Sequence, residues 1–597
     1  MAKYQDHLTL YCCSYIIVLK TRLGGFMKKD EYFFTYPDFN NIREIILDAI
    51  NKFPKNRAFI LKDKEGNHHN KTFEDFFVDI KNLSTGLFNL GLKNKRIAIV
   101  GANSYMWALS YVSILMGNMV AVPLDKGLEE GELEDSLIRS EADAIIFDEK
   151  HLEVINKIKE NGKTNLKFYI TNGENSEFIN FESLKNDGAK LLEEGNKEFD
   201  NVEVDSDKMS VLLFTSGTTS KSKAVMLSQR NIASNIVSMH ATEDFRETDV
   251  NLAFLPFHHT FGSTALLVLL SSGAASAFPD GLRYVAQNLK EYKVTFFVGV
   301  PLLIESIYKK VEKEIEKQGK TKIINIARKV TNVLDKCGIH VKRKIFKPII
   351  DNLGGDLRMI ISGAASLDKN VAKFFNEIGI KTIQGYGLTE TSPVVCAENC
   401  KYIKYGSVGF PMKNVTVEIA DKDDKGIGEL RVKGPNVMLG YYKNEEATNA
   451  VLKDGWYYTG DYGYIDPEGF IFITGRKKNM IVLKNGKKIF PEELEELVNK
   501  IDLVKESMVF GMPKGDDLVV SVKVQYDEEV VKEKYSNMSM EEIKHIIWEK
   551  IKEVNKTLPT YKYVKNMLLT KDDFIKTTTA KIKRFEEFDK IMASQKA

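Results

Sequence analysis

Residues 216–223 read SGTTSKSK: six serine, threonine or glycine residues and two lysines, with the apolar run VLLF leading in and AVML leading out. A polyphosphate asks for several donors at once. Backbone N–H groups of a glycine-containing turn and short hydroxyls supply them without crowding. Thr215, Ser216, Gly217, Thr218, Thr219 and Ser220 meet that need, and Lys223 adds a point charge. The Walker pattern GxxxxGK[ST] does not occur in the chain. On these residues alone, a polar surface turn stays open beside a phosphate cradle.

The elements around this loop alternate in type. NIREIILDAINKF carries apolar residues at helical spacing, RIAIVGANS is a strand running into a turn, and MWALSYVSILMG is an apolar helix ended by Gly117. MVAVPLD is a strand that Pro123 is expected to stop. ADAIIFD, NLKFYIT, KMSVLLFTSG, VTFFVGVP, LRMIISGAA and IKTIQGYG continue the pattern. Their apolar runs are continuous, which predicts strands buried on both faces and an α/β class. From about residue 405, NVTVEIA, GELRVKG and GFIFITG are short alternating strands with glycine turns, as in a small antiparallel barrel. After Gly475-Arg476 a smaller α+β unit is expected, with PEELEELVNKI and MEEIKHIIWEKIKEVNK as helices and VKESMVFGM and VVSVKVQYD as strands.

Composition narrows the class. The 597 residues are 43% hydrophobic and 28% charged, ordinary for a globular chain of several domains. Lys+Arg 85 against Asp+Glu 83 leaves a net charge of +2, so no global basic field argues for nucleic acid. Five cysteines exclude a disulfide scaffold, and a reducing, cytoplasmic compartment is expected. Cys396 and Cys400 lack partners at zinc spacing and read as unligated thiols. The apolar run at 8–19 is too short to span a bilayer. Met27 opens an ordinary-looking start, so residues 1–26 are expected to be an extension with no fold role. Residues 307–347 carry thirteen Lys/Arg against four acids; a solvated helical surface and a face for anionic membrane are both open readings.

SGTTSKSK resembles the phosphate signature of the adenylate-forming enzymes, which include acyl- and aryl-CoA synthetases, peptide-synthetase adenylation domains and luciferases. Ser220, Ser222 and Ala224 depart from the Gly, Pro and Gly of that pattern. Further matches follow in family order: LPFHHTFG (255–262), ISGAAS (361–366), GYGLTETSP (385–393), YTGDYGYID (458–466), TGRKKNMIVLKNGKKIFPEELE (474–495) and KTTTAKIKR (576–584), the last with Ala580 for Gly. Together they cover roughly residues 30 to 590.

The resemblance implies a large AMP-binding domain (27–475), a hinge (476–478) and a smaller, mobile C-terminal domain (479–597). It implies a carboxylate activated by ATP as an acyl-adenylate, then passed to a thiol. Glu390 would hold Mg²⁺, and Thr389 would donate to the α-phosphate. Lys581 would bridge carboxylate and phosphate oxygens, and His259 would sit at the acyl site. Asp461 would take the ribose hydroxyls, with Arg476 on the same sugar or a phosphate. Tyr386 would offer an aromatic face to adenine, and Gly363 and Ala364 would keep the wall beside it low. Lys478 marks the hinge, and Gly486 the loop that would face the pantetheine of CoA.

VPLLIESIYKKVEKEI, the basic helical insert and KPIIDNLGGDLRMIISGAASL resemble long-chain fatty acyl-CoA synthetases. That implies a long-chain fatty acid, ATP and CoA as substrates. An acyl carrier protein as acceptor is the alternative, and a non-catalytic binder of nucleotide or lipid is a third reading. Lys223, Glu390, Asp461, Arg476 and Lys581 are all present, which argues against the third.

Overall fold

The computed structural model describes residues 34–174, 177–215, 222–399, 401–515, 517–577 and 581–596. The expected extension at 1–26 and most of the phosphate loop, including Ser216, Gly217, Thr218, Thr219 and Ser220, lie outside the described residues.

The continuous apolar runs form two sheets. One has eight strands, with Arg96–Val100 at its centre between Val120–Leu124 and Ala144–Phe147, all parallel. Met209–Thr215 joins Val120–Leu124 in parallel, and Lys223–Ser228 returns antiparallel beside it. The phosphate loop is thus the connection of a hairpin, opening at the Thr215–Lys223 pair. The second sheet has nine strands. Phe296–Gly299, Met359–Ser362 and Lys381–Gly387 run parallel in it, and their C-terminal ends carry the ISGAAS and GYGLTETSP turns. In an α/β sheet that end is where ligands bind.

Pro123 does not stop its strand. Val120–Leu124 continues through it, with Pro123 opposite Ile99. The paired neighbour on the other side meets this strand at Ala121–Val211. The missing proline N–H therefore falls beyond that pairing and breaks no ladder bond.

Helices cover both sheets. Tyr105–Met116 is N-capped by Ser104 and C-capped by Gly117, and ten of its residues are buried. Gln229–Thr242 starts from a Ser228–Asn231 capping box directly after Lys223–Ser228. Two of its buried amides reach outward. Asn231 Nδ2 donates to the carbonyls of Pro435 and Val437, and Asn235 Nδ2 to the carbonyl of Val394. This helix therefore fixes the GYGLTETSP turn from behind.

The alternating strands form the expected antiparallel subdomain, five strands from Thr416–Ala420 to Ile471–Arg476. Phe410–Pro411 pairs instead with Val394–Ala397 of the nine-stranded sheet. The C-terminal unit has Val504–Lys514, Asp517–Tyr526 and Asn566–Thr570 in one sheet, packed with helices Pro491–Val498 and Met540–Lys556 around its own core.

One glycine sets the geometry of the turn that holds Glu390. A Cβ at Gly387 would lie 2.0 Å from the Pro393 carbonyl oxygen, where Leu388 N also donates at 3.0 Å. Gly387→Ala should therefore cost about 1–3 kcal/mol through backbone displacement, seen as a lowered thermal midpoint, whereas Gly131→Ala, in the helix Glu130–Ser140 with nothing within 4 Å of the added Cβ, should not lower it. Equal midpoints for the Gly387 variant and the wild type would contradict the close packing described.

Candidate functional site

The described candidates converge. Thr215, Lys223, His259, Gly363, Ala364, Tyr386, Thr389, Glu390, Asp461, Arg476, Lys478, Gly486 and Lys581 all line one cleft of about 2780 Å³. Both sheets, the antiparallel subdomain and the C-terminal unit contribute walls.

Asp461 is the most enclosed acid of the cleft, with 5% of its side chain exposed. It lies on Trp456–Ile465, opposite Arg476 on Ile471–Arg476. Arg476 Nε is 3.0 Å from Oδ1, and Tyr386 Oη donates to Oδ2 at 2.6 Å. A buried carboxylate needs such partners. Burial and then the Asp461 charge push the Tyr386 phenol well above its usual range. Tyr386 thus meets Asp461 through its hydroxyl, a contact that the expectation of an adenine-stacking face did not include.

Glu390 sits on the short Thr389–Thr391 turn that follows the strand Lys381–Gly387. Its Oε1 accepts from Tyr441 Oη at 2.9 Å, and its backbone carbonyl accepts from Met438 N. The Lys223 ammonium lies 4.7 Å from the centre of the same Tyr441 ring. Tyr441 was not singled out from the sequence; a tyrosine after a glycine in a short strand gives no pattern to find it by. Arg139 is a second such residue. It donates to the Ser222 hydroxyl (3.1 Å) and carbonyl (2.6 Å), bracing the C-terminal shoulder of the phosphate loop.

Lys581 enters the cleft from the C-terminal unit. Thr577 N donates to the Lys581 carbonyl, and Lys576 pairs with Ile582. Ile575 N and Lys523 both donate to the buried Glu587, and Arg584 is bonded to Glu495. These contacts hold the stem, so the lysine is presented by a fixed base. Lys581 keeps contact with water in the cleft but has protein on most sides. That partial desolvation, then the Arg476 guanidinium, lower its ammonium to about 8 against the pull of Asp461 and Glu390. Lys478 is lowered to about 8 by desolvation and Arg476 as well. Gly486 has φ +75 at the tip of the loop between Ile481–Val482 and Lys488–Ile489, a left-handed position that suits glycine.

His259 caps the helix Thr260–Ser271 and is held neutral, lowered to about 4 by burial and by the Lys581 charge. Beside it the cleft meets a second cavity, of about 1400 Å³. His258, His259, Phe261, Ala364 and Lys581 line both. Beyond them the second cavity is walled by apolar side chains, among them Phe254, Leu303, Ile307, Val311, Ile324 and Phe346. It is larger than the roughly 300–1,000 Å³ of a usual small-ligand pocket. Gly363 faces the Phe261 ring, where a Cβ would come within 2.8 Å.

Among the described residues no group of three or more His, Cys, Asp or Glu side chains could hold a metal by itself. A Mg²⁺ ion bound through one carboxylate and substrate phosphates needs no such group. Glu390, with Oε1 engaged by Tyr441 and a second oxygen in the carboxylate, fits that mode.

Known proteins resemble this chain in sequence and in fold. The AMP-binding enzyme family model matches residues 47–442, and the AMP-binding enzyme C-terminal domain matches 478–590. A long-chain-fatty-acid–[acyl-carrier-protein] ligase, AEE15, of Arabidopsis thaliana is 29% identical over 518 residues, covering 74% of this chain and 71% of its own. The long-chain-fatty-acid–CoA ligase FadD15 of Mycobacterium tuberculosis is 29% identical over 458 residues, covering 73% and 74%. The fold matches the anthranilate CoA ligase AuaEII in complex with anthranoyl-AMP, with a TM-score of 0.75 at 19% identity over 94% of this chain and 99% of that one. It also matches the o-succinylbenzoate CoA synthetase of Bacillus subtilis, with a TM-score of 0.70 at 21% identity over 91% and 97%. With its larger model matched over well more than half of its length, the chain belongs to the AMP-binding enzyme family.

Proposed function

We propose that this protein is an ATP-dependent ligase that converts a long-chain fatty acid to its acyl-adenylate and then to acyl-CoA, releasing AMP and pyrophosphate. The observation that carries the reading is the apolar cavity of about 1400 Å³ that opens onto the polar cleft at His259, Ala364 and Lys581. An acid bound there has its chain among aliphatic walls and its carboxylate at the lysine. Each buried methylene is worth about 0.8 kcal/mol, so a long chain would be favoured over a short one.

In the first half-reaction a carboxylate oxygen attacks the α-phosphorus of ATP, and pyrophosphate leaves. Two anions must approach, and Lys581 supplies a cation between them. His259, neutral beside it, adds no second charge at the acyl end. Thr215, Thr389 and Lys223 are suited to the phosphates, together with Ser216, Gly217, Thr218 and Thr219 of the loop. Asp461 takes the ribose hydroxyls, Arg476 the sugar or a phosphate, and Tyr386, Gly363 and Ala364 border the base. Glu390 would hold Mg²⁺, which when bound spreads the charge of the phosphates. In the second half-reaction the CoA thiol displaces AMP from the acyl carbon. The C-terminal domain (479–597) would swing about a hinge at 476–478, withdrawing Lys581 and turning the Gly486 loop toward the pantetheine. The remainder, 27–475, would form the large domain.

The acyl carrier protein reading is kept because one relative is named for that acceptor. It shares the first half-reaction. AMP release with ATP, Mg²⁺ and a ladder of fatty acids, run with CoA, with a carrier protein and with neither, separates the two. CoA-dependent AMP release that peaks with long chains is expected. Turnover with carrier protein alone would replace the acceptor.

Two further outcomes follow from Lys581. Lys581→Ala should slow acyl-adenylate formation at least about a hundredfold, while thioester formation from supplied acyl-AMP stays within a few-fold. Equal losses in both steps would rule out the two-conformation scheme. An ammonium lowered to about 8 is charged at pH 7 and loses its proton as pH rises, so kcat/KM for adenylation should fall above about pH 8. Lys581→Arg, which keeps its charge, should flatten that limb. A limb unchanged in the arginine variant would assign it to another group.

A further inference from the structure

Among the described residues, five line both the polar cleft and the apolar cavity: His258, His259, Phe261, Ala364 and Lys581. They mark the junction where, in the ligase reading, the acyl carbon sits. Three of them can carry a proton. Lys581 withdraws with the C-terminal domain before the thiol enters, in the scheme above. His259 is a weak base, lowered to about 4 by burial and then by the Lys581 charge. His258 remains. Its Nε2 lies 3.3 Å from Asp125 Oδ2, and the two side chains are 10% and 16% exposed. A carboxylate there favours the proton on Nε2 and leaves Nδ1 as the acceptor.

Turns of the eight-stranded sheet hold both partners. Asp125 directly follows the strand Val120–Leu124, and its Oδ1 accepts from Gly127 N at 2.9 Å. The neighbouring carbonyl of Lys126 accepts from His151 Nε2 at 3.1 Å. His151 Nδ1 is in turn 2.5 Å from Asp148 Oδ1, and Asp148 Oδ2 accepts from Ala102 N. Asn103 staples the run that leads to His258. Its Nδ2 donates to the carbonyls of Ala253 and Leu255, and its Oδ1 accepts from Phe257 N. The imidazole is thus carried on a turn fixed from two elements, as a general base requires.

We propose that His258, oriented by Asp125, is the base that takes the proton of the acceptor thiol in the second half-reaction. That role rests on the ligase reading. A thiol attacks as its thiolate. The S–H bond breaks and its proton passes to His258 Nδ1. The sulfur electron pair forms the C–S bond to the acyl carbon, the C–O bond to the phosphate breaks, and AMP leaves with that pair. The charges suit this order of steps. With Lys581 in place, an imidazolium at His258 would meet a second cation. Once Lys581 withdraws, Asp125 balances the imidazolium, against Lys126 on the cavity wall. His258 would be a catalytic residue and Asp125 a positioning one.

Two steps are measured separately as pH is varied: adenylate formation from ATP and acid, and single-turnover thioester formation from supplied acyl-AMP. The thiol is CoA, or carrier protein if that proves the acceptor. His258→Gln should slow the thioester step at pH 7 at least about a hundredfold, and about tenfold or more beyond any loss in adenylation. Above about pH 9 a free thiol ionises unaided, so the deficit should shrink there. Asp125→Asn should show the same step-selective, pH-rescued deficit, about tenfold at pH 7, and Asp125→Glu should restore part of the rate. Equal losses in both steps, or a deficit that stays constant with pH, would make His258 a structural residue and overturn the inference. Normal thioester formation by His258→Gln overturns it too. Wild-type protein that forms no adenylate from any acid defeats the ligase reading itself, a result that comes from the other assay.

Discussion

The structure is organised around one buried carboxylate. Asp461 is held by the guanidinium of Arg476 and the phenol of Tyr386. Tyr386 comes from the nine-stranded sheet, while Asp461 and Arg476 come from adjacent strands of the antiparallel subdomain. An ionised group so far from water is tolerable only while its partners stay in place, since removing one leaves an uncompensated charge. The triad therefore fixes how the two layers meet, and with it the position of the Glu390 turn on one side and of Arg476 at the end of its strand on the other.

The remaining electrostatics follow from that centre. Lys478, Lys581 and Arg476 crowd the same space, and partial desolvation, then repulsion by Arg476, lowers the ammonium groups of both lysines. Asp461 and Glu390 offset it in part. A site that gathers cations at the cost of their own charge stabilises an anionic ligand twice, by attraction and by relief of that repulsion. His259 completes the pattern. It takes no charge beside Lys581, which lets an apolar chain approach the lysine from the other cavity.

The α/β class and the antiparallel subdomain were legible in the sequence because each rests on local information, while the residues of the cleft were named from the family resemblance of the ordered motifs. Strand runs, glycine turns and the ordered motifs from LPFHHTFG to KTTTAKIKR need no knowledge of packing. The apolar cavity needed it. Phe254, Leu303, Ile324 and Phe346 come from separate stretches and become one wall only when the helices assemble. The helix Thr321–Lys336 shows the limit most clearly. Its apolar residues fall on two faces, Ile323–Ile326–Val330–Val333 and Ile324–Ala327–Leu334, and periodicity cannot say which is inside. Pro123 failed as a strand stop for a related reason. Whether a missing N–H matters depends on a neighbour far away in sequence. Arg139 and Tyr441 were invisible for the same reason, since each acts only through a partner brought in by the fold.

The contacts between the large domain and the C-terminal unit bear on the proposed alternation of the two half-reactions. Lys313 on the helix Pro301–Lys317 pairs with Glu533 at 2.9 Å, with both side chains 55% exposed. Lys500 lies 3.6 Å from Asp368. Exposed pairs of this kind are worth about 0–1 kcal/mol. The C-terminal unit has its own buried core and its own buried ion pairs, Lys523–Glu587 and Arg584–Glu495. It is thus held firmly within itself, and its neighbour adds these exposed pairs and the buried Tyr462–Phe490 ring contact. Lys313 lies on the helix whose other face, at Leu303, Ile307 and Val311, lines the apolar cavity. One helix therefore touches both the apolar cavity and the unit that carries Lys581.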